Sequence, residues 1–157
     1  MTNNQAQKFL VVVDDTPECR KALRFACRRA RRTGGQVALL RVLRPADFQH
    51  WLAVEKRMEE EATEEAEELL RNLATQARVD WELEVEVKVS QGETYDVVLK
   101  LIEEDSAIRI LVLGAASGGE GPGPLVSQLA GKVSGGMRVP ITVVPGNLSD
   151  QQIDELT

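Results

Sequence analysis

IRILVLGAASGGEGPGPLVSQLAGKVS, residues 108–134, decides the fold. Residues 110–113 form an unbroken apolar run that ends at Gly114. Residues 114–123 then hold five glycines, Gly114, Gly118, Gly119, Gly121 and Gly123, and no bulky side chain. A helix-like segment starts at Pro124 and is expected to run to about residue 137. A strand apolar on both faces needs helices above and below it. Glycine lets a backbone approach an anion closely, and the free N–H groups of a helix start point at it. The segment therefore reads as strand, phosphate cradle and helix; the plain alternative is a flexible surface loop.

The rest of the chain repeats the alternation. Residues 9–13 (FLVVV) are a second continuous apolar run, hence another strand buried on both faces. Thr16 is placed to cap the next helix, with Pro17 at its first position. Cys19, Ala22, Leu23, Ala26, Cys27 and Ala30 give that helix one apolar face, and Gly34-Gly35 stops it. Residues 37–42 read as a strand. Residues 44–53 are irregular, with Phe48, His50 and Trp51 expected to be exposed. A long acidic helix over 54–77 carries the stripe Met58, Ala62, Ala66, Leu69, Leu70, Leu73 and Ala77. Trp81, Leu83, Val85, Val87 and Val89 alternate with charged residues, which predicts a strand buried on one face at a sheet edge. A short helix over 94–104 and a last strand over 141–144, opened by Pro140, complete the set.

Five strands alternating with helices imply an α/β fold with an open parallel sheet and helices on both faces. The two fully apolar strands belong at the centre and the alternating one at an edge. Right-handed crossovers then give the order 3-2-1-4-5. The switch point falls between the first and fourth strands, where open sheets bind ligands. Both Asp14 and the glycine segment open onto it. In the same order, the arginine-rich helix (seven Lys/Arg against one Glu in 17–33) lies on one face with the acidic helix (eight Glu against two Lys/Arg in 55–68).

Composition narrows the function. At 157 residues the chain reads as one domain over 1–146, with a polar tail, 147–157, that is loose or a short helix. A net charge of −6 argues against a nucleic-acid surface, though not against a small anion. No apolar stretch is long enough to span a membrane, and no signal peptide is evident. Cys19 and Cys27 lie eight apart on one helix, about 12 Å along its axis, too far to bridge. They read as reduced core residues of a cytoplasmic protein. His50 is the single histidine, so a multi-histidine metal site is excluded. No nucleophile–base pair suggests an enzyme.

Known phosphate motifs fail in detail. A P-loop needs glycine five residues before Gly131-Lys132, where Val126 stands. The dinucleotide fingerprint belongs after the first strand, where this chain has Asp-Asp-Thr-Pro. The spacing Gly118, Gly121, Gly131 is instead similar to the phosphate motif of the universal stress protein family: Gly, two residues, Gly, nine residues, Gly, then Ser or Thr. VVVDDTPECRKALRFA at 11–26 resembles the family's opening. LLRV at 39–42 resembles its second strand, and VPITVV at 139–144 its last. The likeness covers about residues 8–145. Two departures stand out. In the family the first motif glycine usually ends the fourth strand; here Gly114 is read as ending it, and the spaced set begins four residues later, at Gly118. Lys132 replaces the hydroxyl residue, while Ser134 matches another hydroxyl position.

The resemblance implies a stress-response regulator that binds ATP or AMP, with or without magnesium, and pairs with itself through the fifth strand. It implies that Gly114, Gly118, Gly121 and Gly131 bring backbone to the phosphates, with Ser134 as a further donor. Lys132 either pairs with phosphate as a point charge or points to solvent. Asp14 would accept from ribose hydroxyls or hold a cation; otherwise it is a helix-start acid. Val42 would line the adenine pocket or is simply core. The alternative function is a dimeric interaction module of the same fold without nucleotide.

Overall fold

The computed structural model describes residues 6–45 and 52–157; the stretch carrying Phe48, His50 and Trp51 lies outside them. Five strands, β1 (Lys8–Val12), β2 (Gln36–Leu43), β3 (Glu86–Gln91), β4 (Ile108–Ala115) and β5 (Ile141–Pro145), form one parallel sheet in the order β3-β2-β1-β4-β5. All of β1 is buried, and so is most of β4, so both lie in the middle of the sheet. The strand β3 lies at the sheet edge as its alternation predicts, but it has no buried residue, and Val87, expected on the covered face, is 48% exposed.

Helices α1 (Glu18–Thr33) and α2 (Leu52–Trp81) pack against each other; α3 (Thr94–Glu104) and α4 (Pro124–Leu129) form a second pair. All six residues of the predicted apolar face of α1 are buried. Gly34 ends the helix in a left-handed conformation, φ 73°. Among the described residues no helix is long and apolar enough to cross a membrane.

Four local expectations are corrected. Thr16 does not cap α1: Pro17 stands at the N-cap rather than at the first helical position, no side chain caps the helix, and the Thr16 hydroxyl and N–H turn to Asp14 Oδ1 instead. The helix α2 continues to Trp81, so β3 starts at Glu86; Trp81 extends the Leu73, Ala77 stripe by one more turn and is buried. The fourth helix stops at Leu129 and tightens into a 3-10 turn, Ala130–Gly135. Gly114 does not end its strand, which runs to Ala115.

The polar tail folds as α5 (Asp150–Leu156). Ser149 and Gln152 cap it reciprocally, and Ile153 is fully buried. This helix takes up the charge of α1. Lys21 Nζ lies 3.1 Å from Asp150, Arg24 Nη2 2.8 Å from Asp154 and Arg28 Nε 3.0 Å from Asp154. The Arg24 hydrogen bond holds the Asp154 carboxyl below its ordinary range. The predicted neighbour α2 does lie beside α1, through Arg20–Gln76 at 2.8 Å and Arg24 stacked over Trp81. Among the described residues no ion pair joins α1 to the glutamates of 55–68. The compensation expected from α2 comes mainly from α5.

Lys8, buried at the start of β1, donates to Glu86 at 2.8 Å and to Asp105 at 2.6 Å. Burial alone would lower its pKa, but the two carboxylates raise it; the Lys8 hydrogen bond in turn lowers that of Asp105. A lowered Asp105 stabilises the fold above its unfolded value, about 3.9, and the contribution is lost as pH falls through the folded value. The raised Lys8 stabilises below about 10.4 and loses its contribution as pH rises through its folded value. Asp105→Asn is expected to cost about 1–3 kcal/mol at neutral pH. The gap from the native chain should close at the acid end in urea unfolding followed from pH 7 to pH 3.

Candidate functional site

Parallel strands all end on one edge of the sheet, so the segments after β1 and β2 and the starts of α3 and α4 meet there. They enclose a cavity of about 310 Å³. From β1 come Asp14, Asp15 and Thr16; from the end of β2, Arg41, Val42 and Arg44; from α3, Thr94; from α4, Pro124, Leu125 and Gln128. The apolar wall is Val42, Pro124 and Leu125, and the remainder is polar or charged.

Asp14 is held firmly. Its Oδ1 accepts from Thr16 N at 3.0 Å, from the Thr16 hydroxyl and from the Cys19 thiol at 3.1 Å. All three bonds fall on one oxygen, so Oδ2 takes none of them. Burial, and next the charge of Asp14, push the Cys19 thiol up to about 12, so it stays protonated and donates. Thr94 is buried at the head of α3. Arg44 pairs with Glu93, Nη2 to Oε2 3.3 Å.

Of the residues singled out in the sequence, Asp14 and Val42 line this cavity together. Gly118, Gly121 and Gly131 do not line it. A Cβ on any of the three would meet nothing within 4 Å, so their backbone is open to solvent or to a ligand. The loop is closed by Ala116 N donating to Pro122 O at 2.8 Å, and Gly121 has φ +88°. Lys132 sits with Nζ 5.1 Å from the centroid of the Tyr95 ring. Ser134 belongs to the 3-10 turn. Gly114 serves packing: a Cβ there would lie 2.4 Å from the Glu18 carbonyl oxygen. Since α4 has only six residues, about one and a half turns, its dipole at Pro124 is small.

The sequence reading missed Arg41, Arg44, Thr94 and Gln128. Thr94 was within reach, because it opens the helix after a strand end and every such end faces the same edge. A lone arginine in a strand carries no comparable signal. A separate cavity of about 240 Å³, lined by Arg28, Arg31, Arg32, Trp81 and Thr157, lies at the other end of α1.

The sequence model of the universal stress protein family matches residues 5–145. Solved structures share the fold at low identity. The universal stress protein UspA from Lactobacillus plantarum is 18% identical, with a TM-score of 0.73 over 90% of this chain and 99% of that one. The universal stress protein from Archaeoglobus fulgidus, solved in complex with dAMP, is 20% identical, with a TM-score of 0.66 over 89% and 98%. A universal stress protein family protein from Arabidopsis thaliana, solved with AMP bound, is 16% identical, with a TM-score of 0.62 over 92% and 94%. No curated protein matches the sequence.

Proposed function

The chain belongs to the universal stress protein family, and on that premise we propose that it is a cytoplasmic stress-response regulator binding an adenine nucleotide, ATP or AMP, at the β1/β4 switch point. The cavity that gathers Asp14 and Val42 at the sheet's carboxyl edge carries this reading. The base lies on Val42, Pro124 and Leu125. Asp14 accepts from the ribose hydroxyls or, with ATP, holds magnesium near the phosphates. Gly118, Gly121 and Gly131 present backbone N–H groups to the phosphates, with Gly114 setting the loop's origin and Ser134 adding a donor. Lys132 leaves Tyr95 to pair with the phosphate. Titration calorimetry with ATP, AMP and cyclic AMP, in the presence of magnesium, tests the assignment. The family's dAMP and AMP complexes support the choice of ligand.

Two observations favour a second reading, a dimeric interaction module without nucleotide. Lys132 is engaged with Tyr95, and none of the spaced glycines lines the cavity. Silence in the same titrations would select it.

Either reading includes a homodimer through β5. This strand is the second sheet edge, and its Val143 is 39% exposed. An unpaired edge seeks a partner, and an antiparallel two-fold pairing would satisfy it. Light scattering at tens of micromolar should give twice the chain mass of 17.3 kDa. A monomeric mass would exclude the pairing.

A further inference from the structure

Two guanidinium groups line the crevice. Arg44 is engaged by Glu93. Arg41 forms no ion pair with any carboxylate among the described residues; its Nη1 donates to the Val42 carbonyl at 2.9 Å. A guanidinium carries five N–H donors in one plane, so this bond leaves four for a ligand or for water. A cation in a binding cavity whose partner is only a backbone carbonyl calls for an explanation.

The apolar wall formed by Val42, Pro124 and Leu125 fixes where a flat base would lie. Arg41 lines the same cavity, so a base seated on that wall would bring its polar edge within reach of the guanidinium and of the Val42 carbonyl that it covers. An exocyclic amino group is a donor. To bond that carbonyl it must first displace Arg41, and otherwise it faces other donors. An oxo group is an acceptor and takes the Arg41 donors directly. A guanidinium fork also matches the paired O6 and N7 acceptors of a 6-oxopurine.

We propose that Arg41 is a specificity-determining residue, which strengthens binding of 6-oxopurine nucleotides and weakens binding of 6-aminopurine nucleotides in this crevice. The proposal rests on the nucleotide reading above and refines it. The adenine preference of the crevice is set against Arg41 rather than by it.

AMP and IMP carry the same ribose and phosphate and differ at the purine C6 group, so they isolate the effect. Each is titrated by calorimetry, with magnesium chloride, into the native chain, Arg41→Met and Arg41→Lys. In Arg41→Met, AMP is expected to bind more tightly and IMP more weakly, so the preference for AMP over IMP rises by roughly tenfold or more. Arg41→Lys keeps the charge but loses the fork, and its preference should fall between the two. Should Arg41→Met not fold, Arg41→Lys carries the comparison, with the shift expected in the same direction. Binding of both nucleotides with an unchanged preference in the folded variants overturns the role of Arg41 and leaves the nucleotide reading intact. No binding of either nucleotide to the native chain overturns both.

Discussion

Gly114→Ala is expected to be the most damaging single-methyl change in this protein, at a cost of about 3 kcal/mol. The added Cβ would stand 2.4 Å from the Glu18 carbonyl oxygen and 2.7 Å from the Glu18 carbonyl carbon. Both are backbone atoms in the first turn of α1, so no side chain can swing away. Gly146 tightens the same contact, with its Cβ position 3.0 Å from Glu18 Cβ and 2.7 Å from the Ala115 carbonyl oxygen. The head of α1 thus rests directly on the ends of β4 and β5, and a methyl group at Gly114 must lift it. The lift would also disturb Asp14, which is tied to α1 through the Cys19 thiol. Gly118→Ala is the matched control. Its Cβ would meet nothing within 4 Å, and a change within 0.5 kcal/mol is expected. Urea unfolding of the pair checks the contrast; equal stabilities would mean that α1 does not sit so close.

Gly121→Val separates ligand binding from stability. Gly121 has φ +88°, a region closed to branched side chains. Nothing packs on it, so the fold should lose only about 1–2 kcal/mol through local strain. Nucleotide binding should nevertheless fall below detection at millimolar concentration. The loop would have to change conformation, and a branched side chain would occupy the approach to its N–H groups. Unchanged AMP affinity in this variant would remove the glycine loop from the site.

The architecture was legible because it rests on patterns that burial dictates directly. The continuous runs of β1 and β4 and the alternation of β3 fixed the strand order, and crossover handedness followed. Local competition hid the rest. Trp81 fits both the period-two pattern of residues 81–89 and the fourfold spacing Leu73, Ala77, Trp81, and packing of the long helix won. Thr16 had two possible partners, the helix N–H groups and Asp14, and took the second. The tail, read as loose or as a short helix, carries an unused signal: Ser149 and Gln152 stand at capping-box spacing ahead of Ile153. At the site, Asp14 could be found because it follows a central strand that ends at the ligand edge, whereas Val42, inside β2, was reached only through the family resemblance. The packing role of Gly114 could not, because its neighbour, Glu18, is close only in three dimensions. Arg41 was hidden because a lone arginine in a strand does not announce the cavity it lines.

A nucleotide is expected to occupy the crevice beside β1. The most direct measurement is a titration of AMP, with magnesium, into isotopically labelled protein, followed amide by amide by NMR. Saturable shifts are predicted at residues 13–16, at Val42 and Leu43, and through residues 116–131, while the β3 edge stays still. No shifts at millimolar AMP, or shifts gathered around Arg28, Arg31 and Trp81 instead, would contradict this occupancy.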